Sequence, residues 1–227
     1  MLQYEWVMRM ATVSAVLFDL DGTLIDTNEI IIESYQHTFK THFPDITIDR
    51  DTIIAAIGPP LMDTFARYTD SDALINAAVE TYRTYYTANE HHHYALYPHV
   101  ITTLKRLKEH GIKMAIVTSK FKGAAWPSIK RFGLDSLFDA FVSLNDVTRP
   151  KPDKEPVVKA LTLLGVGKDA LMIGDNDSDI LAGQAAGVKT AGVAWSIKGR
   201  AHLEAVSPDY ILADMTDLIS LLGLPRR

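Results

Sequence analysis

The chain has 227 residues, 47% of them hydrophobic and 22% charged, with a formal net charge of −5; this suits a folded globular protein with room for one α/β domain and a small accessory one. It contains no cysteine, which excludes disulfides and thiolate-bound metals. No basic block stands out, which argues against a nucleic-acid or acidic-membrane partner, and no apolar stretch approaches the ~20 residues needed to span a bilayer.

The opening segment, residues 1–10, lacks the basic start and long apolar core of a signal peptide. A cytoplasmic location is therefore expected, with Met8 or Met10 as alternative starts. The first strong element is the apolar run Ala15-Val16-Leu17-Phe18, within a strand expected over 14–19. Such a run reads as a parallel strand buried on both faces. It leads directly into Asp19-Leu20-Asp21-Gly22-Thr23, and open parallel sheets place their chemistry at the carboxyl ends of strands.

From Leu24 to Leu96 the pattern changes. Ile30-Ile31-Ser34-Tyr35-Thr38-Phe39 and Leu74-Ala77-Ala78-Thr81-Tyr82-Tyr85 have helical spacing, and no strand is expected there. Residues 25–95 are read as an inserted helical cap, hinged near Leu24-Ile25-Asp26 and Ala95-Leu96-Tyr97-Pro98, and placed to cover the end of the first strand as a lid. Pro59-Pro60 within it reads as a helix start. His91-His92-His93 reads as a solvated helix end, because adjacent residues on a helix face different directions.

After residue 95, helices are expected at 99–110, 122–132, 153–164, 177–186 and 215–222, alternating with strands at 112–118, 138–143, 170–174, 189–194 and 209–212. Glycines 111, 133, 165 and 187 mark four helix stops. The alternation points to a parallel sheet with helices on both faces, in a core made of 11–24 and 96–227. Three strand ends or loops carry chemistry. Thr118-Ser119 offers adjacent hydroxyls to an anion. Lys151 is fixed between Pro150 and Pro152. Asp175 would face the cleft, with Asp179 one helical turn on.

Together these groups make a phosphoryl-transfer site. Clustered carboxylates would repel an anionic substrate unless a hard cation sat among them, and Mg²⁺ suits oxygen ligands and phosphate. Asp19 would attack phosphorus to give an aspartyl-phosphate, and Asp21 would protonate the leaving oxygen and then deprotonate water. Lys151 would hold phosphoryl oxygens as a point charge.

The ordered set Asp19-x-Asp21-Gly22-Thr23, Thr118, Lys151 and Gly174-Asp175-x-x-x-Asp179 resembles the four motifs of the haloacid dehalogenase superfamily. The helical insertion after the first motif is similar to the type 1 caps of its phosphoglycolate phosphatases. The resemblance implies a Rossmann-like α/β core, Asp19 as nucleophile and metal ligand, and Asp21 as acid/base with its backbone carbonyl on Mg²⁺. It further implies Thr118 and Lys151 on phosphate, Asp175 as the remaining metal ligand, and Asp179 in support. Within the superfamily, Ile57-Gly58-Pro59-Pro60-Leu61-Met62-Asp63-Thr64-Phe65, Thr81-Tyr82-Arg83-Thr84-Tyr85 and Gly192-Val193-Ala194-Trp195-Ser196-Ile197-Lys198-Gly199 most resemble the PpaX-type bacterial inorganic pyrophosphatases. The implied activity is hydrolysis of pyrophosphate, with phosphoglycolate or another small phosphomonoester as the alternative.

Three positions depart from the phosphoglycolate-type pattern: His99 stands after Tyr97-Pro98 where glycine is common, Pro150 before Lys151 where glycine is usual, and Lys154 where a second proline is frequent. Pro150 bears on how Lys151 reaches the cleft. Asp21 argues against a dehalogenase, which needs no acid/base there. Lys40 is the only cap lysine a phosphonatase could use. A non-catalytic relative would have lost a motif carboxylate, and none is lost. The second phosphate of pyrophosphate would need cations: Lys40, Arg50, Arg67 and Arg83 in the cap, or Lys120, Lys122, Lys198 and Arg200 in core loops. Lys120, two residues after Thr118, is the first to test. Nothing in the chain specifies an oligomeric state.

Overall fold

The computed structural model describes residues 13–90 and 94–225. The His91–His93 reading and the start-site reading lie outside these residues. The main sheet has six parallel strands: β1 (Ala15–Phe18), β4 (Lys113–Val117), β5 (Ala140–Val142), β6 (Ala170–Gly174), β7 (Lys189–Val193) and β8 (Tyr210–Leu212). Their order is β5-β4-β1-β6-β7-β8. The chain leaves β1 and pairs it with β4 on one side and β6 on the other, so the carboxyl end of β1 lies at a switch in strand order. Ligand crevices form at such switch points.

The all-apolar strand β1 explains its central place. Val16 and Phe18 face one apolar cluster with Leu104, Leu107 and Ile129. Ala15 and Leu17 face the other with Val157, Leu161 and Ala182. The first cluster receives α5 (Val100–Glu109), α6 (Lys122–Arg131) and α10 (Asp217–Leu221); the second receives α7 (Glu155–Leu164) and α8 (Asp177–Ala186). Both faces of the strand are closed, as an alternation-free apolar run requires.

Four helices follow β1: α1 (Asn28–His42), α2 (Arg50–Ala56), α3 (Leu61–Phe65) and α4 (Asp72–Asn89). They bury their own cluster, centred on Tyr35, Phe39, Ile53, Phe65, Ala78 and Tyr82. The segment also has a feature the periodicity does not reveal. Ile25–Asp26 (β2) and Ala95–Leu96 (β3) pair antiparallel, Ile25 opposite Leu96, and Tyr97 N–H donates to Leu24 C=O at 3.1 Å. The helical insertion thus leaves and re-enters through one two-stranded clasp. A short helix α9 (Arg200–Glu204) is likewise absent from the sequence reading. Among the described residues no helix is long and apolar enough to cross a membrane.

Candidate active site

Asp19 is the first residue past β1 and is buried. Its backbone N–H still donates to Ile173 C=O at 2.9 Å, so the sheet fixes its position. The chain then turns back tightly: Leu24 and Ile25 both donate to Leu20 C=O, and Gly22 donates to Ile25 C=O. Gly22 makes this turn with φ +82°, and a Cβ there would sit 2.3 Å from Asp175 Oδ2. Glycine is needed twice over, for its backbone conformation and for the close approach of a carboxylate.

Asp175 follows β6 and is buried beside Asp19. Its Oδ1 accepts from Thr23 Oγ1 at 3.2 Å, and its carbonyl accepts from Ser196 Oγ at 2.6 Å. Asp179 lies in the first turn of α8, where its Oδ2 accepts from Asn176 N–H at 3.1 Å in a reciprocal capping box. Its other oxygen, Oδ1, is 2.5 Å from Lys151 Nζ. Oxygens of Asp19, Asp175 and Asp179 all lie within 4.8 Å of one another.

Lys151 is only 3% exposed. Its ammonium donates to Asp19 Oδ1 at 2.6 Å, Asp179 Oδ1 at 2.5 Å and Val117 C=O at 2.9 Å, which engages all three of its donors. Pro150 therefore does not keep Lys151 from the cleft. Burial alone would lower the lysine's pKa, but Asp179 and Asp19 raise it. One cation cannot balance three carboxylates. Burial pushes Asp19 up to about 7, with Lys151 opposing and Asp179 adding to the rise. Burial, and then Asp19 and Asp179, push Asp175 well above the ordinary carboxylate range.

That imbalance tests the site for a metal. The donors are all carboxylate oxygens, the set preferred by hard divalent cations, and Lys151, bonded to Asp19 and Asp179, leaves their charge only partly balanced. The cluster can hold a divalent metal ion. The carboxylate of Asp21 is not part of it. Asp21 Oδ1 instead accepts from Lys120 Nζ at 3.1 Å, and Lys120 also donates to Tyr86 OH at 2.5 Å. Tyr94 OH lies 2.7 Å from Tyr86 OH and donates to Glu90 Oε2 at 2.6 Å. A polar chain therefore runs from Asp21 through the loop after β4 to the last turns of α4.

Thr118 is buried and its Oγ1 accepts from Lys120 N–H at 3.1 Å. Ser119 Oγ is buried with no hydrogen-bond partner among the described residues, so its hydroxyl has a donor left to offer a ligand. Asp19, Asp21, Thr118, Ser119, Lys151, Asp175 and Asp179 all line one cavity of about 200 Å³. Its far wall comes from the helical insertion, including Tyr35, Met62, Arg83 and Tyr86. Asn176 reaches that wall directly, donating to Ile57 C=O at 2.9 Å. Gly58, at φ +119°, leaves the space: a Cβ there would be 2.6 Å from Asn176 Nδ2. The sequence reading did not mark Asn176, Tyr86 or Tyr94. Only the position of Asn176 right after Asp175 could have signalled it, since Tyr86 reads as one more buried position of α4.

Comparison with known proteins agrees with this geometry. Residues 16–193 match the family described as haloacid dehalogenase-like hydrolase. The chain is 45% identical over 219 residues to Pyrophosphatase PpaX of Anoxybacillus flavithermus, covering 95% of this chain and 99% of that one. It is 46% identical over 220 residues to Pyrophosphatase PpaX of Bacillus pumilus, with the same coverage. A solved haloacid dehalogenase-like family hydrolase from Streptococcus pneumoniae superposes with a TM-score of 0.79 at 29% identity, covering 92% of this chain and 97% of that one. With a parallel switch-point sheet, buried aspartates at two strand ends and a lysine between them, the chain belongs to the haloacid dehalogenase-like hydrolase family.

Proposed function

We propose that this chain is a Mg²⁺-dependent inorganic pyrophosphatase that works through an aspartyl-phosphate on Asp19, with residues 25–95 as a cap over the site. The observation that carries the mechanism is the separation of the two aspartates. Asp19 is buried and tied to Lys151, whereas Asp21, two residues on, faces the same cavity but is held from the other side by Lys120. Two carboxylates with different partners suit two different roles. The substrate reading draws on near-full-length relatives named Pyrophosphatase PpaX. The cavity agrees with it: about 200 Å³ is below the roughly 300–1,000 Å³ typical of drug-sized ligand sites, which favours a small phosphorylated substrate over a nucleotide.

In the first step an Asp19 carboxylate oxygen attacks phosphorus in line. The bridging P–O bond breaks, and Asp21 gives its proton to the departing phosphate oxygen. In the second, Asp21 takes a proton from water as that water attacks the same phosphorus. The bond to Asp19 breaks, free phosphate leaves, and both aspartates return to their starting states. Thr118 and Ser119 hydroxyls orient the phosphoryl oxygens, and Lys151, whose donors hold Asp19 and Asp179, adds positive charge beside them. Asp19 and Asp175 carboxylates with the Asp21 carbonyl would hold Mg²⁺, which when bound supplies positive charge to the phosphoryl group. Asp179 acts through Lys151 and the Asn176 turn.

Phosphate release from pyrophosphate, phosphoglycolate, sugar phosphates and nucleotides, compared by kcat/KM with Mg²⁺, tests the reading. Pyrophosphate is expected to lead and chelator to stop turnover. A phosphomonoester well ahead of pyrophosphate would overturn the substrate while leaving the mechanism in place. Lys120→Met is expected to lower kcat about 10- to 100-fold, the size of effect seen when an orienting partner of a reacting group is lost. KM should change little, because Asp21 loses its orientation while the phosphate-binding groups remain. An unchanged kcat would remove Lys120 from the mechanism.

A further inference from the structure

The cavity wall carries three cations among its described residues, Lys151, Lys120 and Arg83, and they are not equally available. Lys151 has all three donors engaged by Asp19, Asp179 and Val117 C=O. Lys120 is bonded to Asp21 and Tyr86. Arg83, on α4, makes no hydrogen bond or ion pair with any described residue. Its guanidinium instead lies over the Phe121 ring, 3.9 Å from the centroid. Stacking uses the face of the guanidinium and leaves its N–H groups, which all point outward in the plane, free to fork an oxyanion.

Arg83 is also costly where it stands. It is partly buried, and burial lowers its pKa, with only Glu80 in the preceding turn of the same helix opposing the shift. A partly desolvated cation with free donors, stacked on Phe121 at the wall of a phosphoryl-transfer site, is placed to receive an anion. Among the described residues the rest of that wall carries no positive charge: Ile31, Leu61 and Met62 are apolar, and Tyr35, Tyr82, Tyr86 and Thr87 bring hydroxyls that cannot neutralise a charged leaving group.

We infer that Arg83 binds the anionic end of the leaving group, which on the pyrophosphatase reading is the second phosphate. This rests on that reading for the identity of the anion, though not for its charge. It moves the second-phosphate role from Lys120, whose ammonium serves Asp21, to the helix on the opposite wall. It also makes the stack on Phe121, which directly follows Lys120 in the chain, the device that holds the guanidinium plane in place.

The competing role for Arg83 is a staple that merely joins α4 to the loop after β4, and substrates with different leaving groups separate the two. Arg83→Gln and Arg83→Lys are compared with wild type on pyrophosphate and on phenyl phosphate, whose leaving group has no anionic end. The kcat/KM ratio of pyrophosphate to phenyl phosphate is expected to fall about 10²-fold in Arg83→Gln, the scale of one lost charge-assisted contact, mainly through KM. Arg83→Lys should recover part of it. An unchanged ratio, whether both substrates suffer equally or neither does, would overturn the inference. Wild type that ignores pyrophosphate would overturn the substrate reading instead. The same variants are then compared on phosphoglycolate and phenyl phosphate, where loss of that ratio in Arg83→Gln supports the anion anchor and its persistence sinks it.

Discussion

Asp19→Asn is expected to lower phosphate release from pyrophosphate by at least ~10⁴-fold, the scale on which losing a catalytic nucleophile registers, without lowering the melting temperature in chelator. The two halves have one cause. Asp19 is the carboxylate that the sheet fixes at the end of β1, and an amide cannot form the aspartyl-phosphate. Yet its ionised form is a burden to the fold when no metal is present. Its pKa rises from 3.8 to about 7, chiefly by burial. The folded state therefore holds the proton more tightly than the unfolded chain does. Stability contributed by this group is complete below pH 3.8 and is lost as pH climbs to about 7. The asparagine variant escapes that loss, so in chelator its melting temperature should equal or exceed wild type near pH 8, with the difference narrowing toward pH 5. Near-wild-type turnover would end the assignment of Asp19 as nucleophile. A clear drop in melting temperature would show that the Lys151 pairing outweighs the cost of burial.

The parts of this site visible in the chain are those where one short segment determines both geometry and chemistry. The run from Ala15 to Phe18 has no polar face, so it must lie inside a parallel sheet, and Asp19 must then emerge at a strand end. Asp175 and Asp179 are similar, because four residues on a helix return to one side. The clasp of β2 and β3 was hidden for the opposite reason. Two residues have no periodicity, and Ile25 meets Leu96 only because the helices between them pack. The partners of Lys120 were hidden in another way: Tyr86 belongs to the buried face of α4, and only its hydroxyl reaches the site. His99 shows the converse. It takes φ 62° at the start of α5, a left-handed conformation natural to glycine, which gives the departure from the family's pattern a physical meaning. Its ring Nδ1 lies 2.9 Å from Asp214 Oδ2, a contact glycine could not make.

Lys151→Met should be the most destabilising single change in the site. It removes the ammonium bonded to Asp19 and Asp179, two of three carboxylates whose oxygens lie within 4.8 Å of one another. Leaving buried charge without its partner costs about 3–5 kcal/mol. At roughly 2–4 °C per kcal/mol for a chain of this size, the melting temperature in chelator should fall by about 10 °C. Methionine nearly matches the lysine stem in length, so a cavity contributes little and the loss is mainly electrostatic. Divalent metal should then return part of the lost stability, because lysine and metal answer the same excess of negative charge. Adding Asp19→Asn to Lys151→Met should also return part of it. The double variant is expected to be more stable than Lys151→Met alone, with an interaction between the two changes well outside simple additivity. Recovery cannot be complete, since Val117 C=O also loses the donor it has at 2.9 Å. If Lys151→Met melts with wild type in chelator, or if Asp19→Asn gives nothing back, the carboxylates are not in electrostatic conflict. The affinity of this cluster for a metal ion would then need another source than its own unbalanced charge.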